Sequence, residues 1–254
     1  MSLAYAASDA GVMIGRSLRH STRNIETMLT AIMLPVVLML MFVYVFGGVM
    51  QTGTDYVDYV VPGIVLLCAG FGAGSTAIAV ANDMENGIVD RFRSMPIGSS
   101  AVLTGHVTAS VARNLVATAI VIGVGFAVGW RPTATPLEWL AAAGMITLFI
   151  TAISWLAAAA GLVAKSAEAA NAFTFVLMFI PYVSSAFVPT DSLPTVLRGF
   201  AQHQPVTPVI ETIRGLWMGT EIGGQAWWAL GWCAGIGLVS YLVAAWLFRR
   251  RTTG

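Results

Sequence analysis

Few side chains in this 254-residue chain are equipped for chemistry, and their spacing excludes more reactions than it suggests. A phosphate-binding loop ends in Gly-Lys-Ser or Gly-Lys-Thr, because its lysine must reach the terminal phosphates. The single lysine, Lys165, stands in Ala164-Lys165-Ser166, so the sequence holds no such loop. His20, His106 and His203 are scattered and form no ligand cluster. Cys68 and Cys233 lie inside apolar runs and read as small core hydrophobes rather than a disulfide or a metal pair. There is no zinc-protease motif and no Gly-x-Ser-x-Gly elbow, so no nucleophile and base pair can be named. The expectation is a chain that is not an enzyme, with no catalytic, cofactor or metal residues of its own.

Charge is concentrated instead in one short stretch, Asp83-Met84-Glu85-Asn86-Gly87-Ile88-Val89-Asp90-Arg91-Phe92-Arg93-Ser94-Met95-Pro96. Met84, Ile88, Phe92 and Met95 recur at steps of four, four and three, which places them on one face of a short helix. Asp83, Glu85, Asp90, Arg91 and Arg93 occupy the rest, and Pro96 ends the helix. An apolar knob with a mixed-charge rim suits docking into a groove on a partner. Periodicity leaves a second reading open, a helix lying on its own bundle.

The elements that must carry these residues are apolar. Hydrophobic residues make up 57% of the chain and charged residues only 10%, and mean hydropathy is +0.79. Soluble domains carry about a quarter charged residues. Thirteen basic and twelve acidic side chains cannot coat a globule of this size. The expected class is an all-α integral membrane protein. A formal charge of +1 gives no nucleic-acid signature.

Six apolar runs approach the roughly 20 residues that a spanning helix needs: Met28–Met50, Tyr59–Ala81, Thr108–Trp130, Leu137–Val163, Ala169–Val188 and Trp227–Phe248. Their continuity argues against a β-barrel. Residues 1–26 lack the apolar core of a cleavable signal and read as an interfacial helix. Ala7, Gly11, Ile14, Leu18 and Ile25 make the stripe, with Arg16, Arg19 and Arg23 off it. With both termini cytoplasmic, the inner set of basic residues is Arg16, Arg19, Arg23, Arg91, Arg93, Arg113, Lys165, Arg249, Arg250 and Arg251. Only Arg131, Arg198 and Arg214 are then outside. That asymmetry sets the expected orientation. Trp130, Trp139, Trp217, Trp227 and Trp228 then fall at the outer boundary, as an aromatic belt would.

Arg113 lies inside the third run, about one turn from its cytoplasmic boundary. Its charge either snorkels to headgroups or meets a buried partner. No row of Asp, Glu or His crosses the membrane, which argues against an ion-coupled carrier. Residues 189–226, outside, hold two proline-started helices, near Leu193–Arg198 and Pro208–Met218. They are too apolar for a free loop and too short to span, so they re-enter the outer leaflet or cap the bundle. Pro181 should kink the fifth span. Gly231 and Gly235 form a GxxxG that permits close helix approach. Phe42 and Phe46 in the first span, with Phe175, Phe179, Tyr182 and Ser185 in the fifth, could line a path for an amphiphile. Each aromatic can equally face lipid.

Three segments, in order, carry a family resemblance: Tyr59-Val60-Val61-Pro62-Gly63, then Glu85 through Pro96-Ile97, then Pro189 through Leu193-Pro194, Gln204-Pro205-Val206-Thr207-Pro208 and Arg214-Gly215-Leu216. The chain resembles the type-2 (export-type) permease subunits of ATP-binding-cassette (ABC) transporters, in the daunorubicin-resistance subgroup, over nearly its whole length. Gln204 stands where many such permeases carry Asn. The resemblance implies a single permease domain over 1–254, multi-pass in the bacterial cell (inner) membrane. It would have six transmembrane helices, an N-terminal interfacial helix, a cytoplasmic coupling helix within 83–100, and short extracellular re-entrant helices before the last span. It implies a second permease copy, identical or homologous, and a separate ATP-binding subunit that carries ATP and Mg. Met84, Glu85, Gly87, Ile88, Arg91, Phe92, Arg93 and Pro96 would then couple to that subunit. Spans one, two and five would border the route of a hydrophobic drug, lipid or other amphiphile moved outward. The rival readings are an ion-coupled secondary transporter, which would work without any ATPase, and a non-transporting membrane scaffold.

Overall fold

The computed structural model describes residues 25–49, 55–86 and 99–253. Every regular element among them is helical. Helix α1 (Ile25–Met41) runs on into a π-helical turn, Phe42–Phe46. Then come α2 (Tyr56–Glu85), α3 (Ser99–Ala127) and α4 (Pro136–Val163). Helix α5 (Ala167–Phe179) tightens into a 3-10 turn, Ile180–Val183. Two short helices follow, α6 (Thr195–His203) and α7 (Val206–Met218), before the last, α8 (Gln225–Thr253). Four of these, α2, α3, α4 and α8, are long and apolar enough to cross a membrane; α1 and α5 are shorter apolar helices. The expected interfacial helix (its first 24 residues) and residues 87–98 of the coupling segment lie outside the described residues.

Local chemistry explains the boundaries. Thr135 and Glu138 close a capping box around Pro136, each side chain serving the other's backbone N–H. Ser166 caps α5 by accepting from the Ala169 N–H, so only Ala164-Lys165-Ser166 separates α4 from α5. Gly219, in the left-handed region at φ 68°, ends α7. Pro181 does more than kink the fifth segment. The α-helix stops at Phe179 and the chain narrows to a 3-10 turn before turning sharply.

Helix α2 is the axis of the bundle and packs against α1, α3, α4, α5 and α7. Its core side chains, among them Val60, Val61, Ile64, Leu66 and Leu67, are fully buried. Successive long helices run antiparallel. Phe46, Tyr56, Trp130, Thr135, Phe187 and Trp217 gather at one end, and Asp83, His106, Lys165 and Arg250 at the other.

Several sequence expectations need correction. Trp130, Trp139 and Trp217 do not form an interfacial belt. They cluster with centroids 5.0–6.0 Å apart, Trp130 meeting Trp139 and Trp217 edge to face, and Trp130 and Trp217 are buried. The Thr133 N–H donates to the Trp217 carbonyl at 2.9 Å, pulling the α3–α4 loop over α7. Of the five tryptophans expected in the belt, only Trp227 and Trp228 are exposed as a belt requires. Among the described residues, nothing lies within 4 Å of a Cβ built at Gly231 or Gly235. The close glycine contact of α8 is Gly237, whose Cβ position lies 3.7 Å from Ala152. Helix α3 begins nine residues before the expected Thr108, so Arg113 sits at its middle. The Arg113 guanidinium turns onto Ser75 Oγ of α2 at 3.2 Å.

Candidate functional site

The first and third of the motifs quoted above meet at the aromatic end. The link is Arg214 of α7, a buried cation. Its guanidinium donates from Nε and Nη2 to the Tyr59 carbonyl at 3.3 and 3.0 Å, and from Nη2 to the Ser185 carbonyl at 2.7 Å. Nη1 donates to Glu211 Oε1 at 2.6 Å, one turn back on α7. The same guanidinium lies 3.8 Å from the centroid of the Tyr59 ring. Planar, five-donor geometry is what lets one side chain serve two carbonyls, a carboxylate and a ring face.

Segment 185–187 is thereby strapped along α2. The Tyr56 hydroxyl donates to the Phe187 carbonyl at 3.0 Å. A Cβ at Gly63 would stand 2.6 Å from the Ala186 carbonyl oxygen, so only glycine admits this approach. On the far side Thr207 knots the α6–α7 corner. Its hydroxyl donates to the Ala201 carbonyl and accepts from the Ser185 N–H (3.3 Å) and Gln204 Nε2 (3.2 Å). Gln204 Oε1 accepts from the Val206 N–H, capping α7. Gln204-Pro205-Val206-Thr207-Pro208 is thus a corner whose polar atoms satisfy one another while buried.

Five of the six residues expected to line a path fall on one aromatic ribbon. Phe46 meets Phe42 at 5.5 Å, Phe42 stacks on Phe187 at 4.3 Å, and Phe187 stacks on Tyr182 at 5.2 Å. Tyr182 reaches Phe179 at 6.2 Å, and Phe179 reaches Phe175 at 5.4 Å. The ribbon joins α1 to α5, with Phe175 and Phe179 well over half exposed. Phe42, which stacks on Phe187, opens the π turn Phe42–Phe46. Ser185 is not on the ribbon; it is buried in the strap. Sequence reasoning missed Phe187, the ribbon's centre, and the bridging role of Arg214. Spacing alone gives neither, because both contacts join segments more than a hundred residues apart.

The charged end carries what is described of the coupling segment. Met84, half-buried, packs under the cluster formed by Val80, Leu103, Leu162 and Phe248. Glu85 is exposed at the last turn of α2. Gly87, Ile88, Arg91, Phe92, Arg93 and Pro96 lie outside the described residues. Flanking them, Asp83 Oδ2 and His106 Nε2 pair at 2.9 Å and tie the end of α2 to the second turn of α3.

Between the two ends runs a buried polar seam. Ser110 and Ser154 hydroxyls pair at 2.9 Å across α3 and α4, and Asn114 Nδ2 donates to the Ser110 carbonyl at 3.0 Å. Asn114 Oδ1 fills the space of a missing side chain: a Cβ at Gly72 would stand 1.6 Å from it. Among the described residues, no three His, Cys, Asp or Glu side chains converge as a metal site would require.

The profile of the ABC-2 type transporter family matches residues 9–218. The daunorubicin resistance ABC transporter permease protein DrrB1 of Streptomyces coeruleorubidus is 27% identical over 213 residues, covering 82% of this chain and 74% of its own. The probable doxorubicin resistance ABC transporter permease protein DrrC of Mycobacterium tuberculosis, in strains CDC 1551 / Oshkosh and ATCC 25618 / H37Rv, is 27% identical over 246 residues, covering 94% of this chain and 87% of its own. The matched span takes in the strap, the ribbon, the seam and the Asp83–His106 pair alike, and the chain belongs to the ABC-2 type transporter family.

Proposed function

We propose that the chain is the transmembrane permease subunit of an ABC exporter that moves a hydrophobic drug or similar amphiphile out of a bacterial cell. The observation that carries this reading is the family match across 9–218, joined to relatives whose names record daunorubicin and doxorubicin resistance. A polycyclic aromatic cargo is also the class that a ribbon of aromatic rings, exposed at Phe175 and Phe179, would receive.

In this reading the chain spans the membrane six times, α1 and α5 included, with both termini cytoplasmic. The aromatic end faces outward and the Asp83–His106 end inward. Energy comes from ATP and Mg on a separate ATP-binding subunit, and a second permease copy completes the conduit. Segment 83–100 couples the two proteins: Met84 seats it on the bundle, Ile88 and Phe92 form the apolar knob, and Glu85, Arg91 and Arg93 form its charged rim. The Asp83–His106 pair supports this role, because a push on the segment would be passed to α2 and α3 together.

The test is drug efflux from proteoliposomes holding the chain, its permease partner and its ATPase. Arg91→Glu with Phe92→Asp should abolish ATP-dependent efflux while both subunits stay folded. Efflux at wild-type rate in that variant would overturn the coupling role. Flux driven by an ion gradient without the ATPase would overturn the exporter reading as a whole.

A further inference from the structure

At the charged end, α4, α5 and α8 leave an open-sided crevice of about 340 Å³. Ala160, Val163, Ala164, Ala169, Phe173 and Val243 supply most of its wall, and every lining side chain is apolar. Such a cavity gives water no partner, so it takes an apolar group. The ribbon begins two residues beyond Phe173 and leads to the other end of the bundle, which sets the crevice apart from the proposed drug path.

The mouth of the crevice is basic. The Cβ position of Gly237 lies 3.7 Å from Ala152, and the rings of Trp155 and Tyr241 meet edge to face at 4.9 Å. These pairs fix α4 and α8 in parallel register. Lys165 follows Ala164 of the crevice wall, and Arg250 stands two turns beyond Val243 on the same face of α8. Lys165 is exposed in the α4–α5 turn. Arg250 holds its guanidinium 4.6 Å over the Trp246 ring, one turn back on α8. Arg249 and Arg251 flank it in sequence, and Glu168 is the one acidic residue of the α4–α5 turn and first turn of α5. Among the described side chains beside the crevice wall, Lys165 and Arg250 stand against Glu168, two cations to one carboxylate.

We infer that this crevice holds one acyl chain of an anionic phospholipid whose phosphate lies on Lys165 and Arg250. The apolar wall takes the chain and the cations select the headgroup. In a bilayer an acyl chain has other apolar neighbours, so contact with the wall gives little selectivity. Each Lys or Arg near an anionic headgroup contributes about fivefold in affinity, so two of them predict a preference of at least about tenfold for anionic over zwitterionic lipid. The inference rests on the membrane-embedded reading and uses neither the direction of transport nor the identity of the cargo.

The test is native mass spectrometry of the full chain released from vesicles of equal phosphatidylglycerol and phosphatidylcholine. The wild-type chain should retain phosphatidylglycerol about tenfold over phosphatidylcholine. Lys165→Glu with Arg250→Glu should bring that ratio to about one, and Lys165→Arg with Arg250→Lys should keep it. Ala160→Trp, which fills the crevice, should lower retention of both lipids, and Ala169→Leu should do so more mildly if the tryptophan disturbs folding. Equal retention by the wild-type chain, or undiminished retention in both crevice-filled variants, would overturn the inference. So would displacement of the lipid by daunorubicin, which would make the crevice a cargo site. Efflux by the wild-type chain, measured in parallel, separates the two readings: no lipid preference with intact efflux counts against the inference alone, and lipid preference without efflux counts against the exporter reading alone.

Discussion

At the scale of single residues, the buried guanidinium of Arg214 is the most exposed to failure. Removing it strands the Tyr59 and Ser185 carbonyls and leaves Glu211 without its partner. Arg214→Met should cost about 3 kcal/mol in denaturant unfolding from mixed micelles, the size expected when one member of a buried charged network is lost. Arg214→Lys should recover only part of this, because an ammonium cannot span two carbonyls and cover a ring. Gly72 offers a second test. Gly72→Ala alone should destabilise by roughly 1–3 kcal/mol, as overpacking does. Gly72→Ala combined with Asn114→Ala should recover most of that loss, since the clash is with the Asn114 side chain. Equal losses in the single and double variants would show that the two residues do not share this space.

At the scale of elements, the ribbon separates stability from transport. Phe175 and Phe179 are exposed, so replacing either with Ala should change stability by no more than about 0.5 kcal/mol. Efflux of an aromatic drug should nevertheless fall several-fold, read from initial rates at matched protein levels. Phe187→Ala should differ, costing about 3 kcal/mol because the side chain is buried between Phe42 and Tyr182. Much of this element pattern was legible in the sequence. Apolar run length gave α2, α4 and α8 to within a few residues, and the prolines flagged α6 and α7. Helix α3 was misjudged because its first nine residues, Ser99 to Val107, are too mixed in polarity to read as a span, yet propagate as helix. The tryptophans were misjudged for a different reason. A belt and a cluster have the same composition, and only the turn at Gly219 and the Thr133–Trp217 bond bring the rings together. Five of the six expected path residues were chosen for aromatic content and share one ribbon; Ser185 was chosen as a small polar side chain, and its backbone, not its hydroxyl, is what the fold uses.

At the scale of the whole molecule, sidedness is the expectation that everything else inherits. In a background lacking Cys68 and Cys233, both buried, Glu221→Cys should react with a membrane-impermeant maleimide added to whole cells. Lys165→Cys should react only after the membrane is opened. The opposite pattern would invert the proposed orientation and place the Asp83–His106 end outside. Basic-residue asymmetry made this reading available from sequence, whereas the joining of two ends through a polar seam was not. Ser110, Asn114 and Ser154 look unremarkable in their runs and acquire meaning only when α2, α3 and α4 are superposed in space.

The strap has a mechanical corollary. Residues 185–187 are fastened to α2 at Tyr56, Tyr59 and Gly63, and α7 is bolted to the same place by Arg214. Roof and axle are therefore fastened into one part, which the 3-10 turn at Ile180–Val183 joins to α5. An antibody fragment gripping α6, whose Val196 and Phe200 protrude, would hold a lever that reaches the middle of the bundle. It would stall turnover as a remote brake, without touching the cargo or the ATPase.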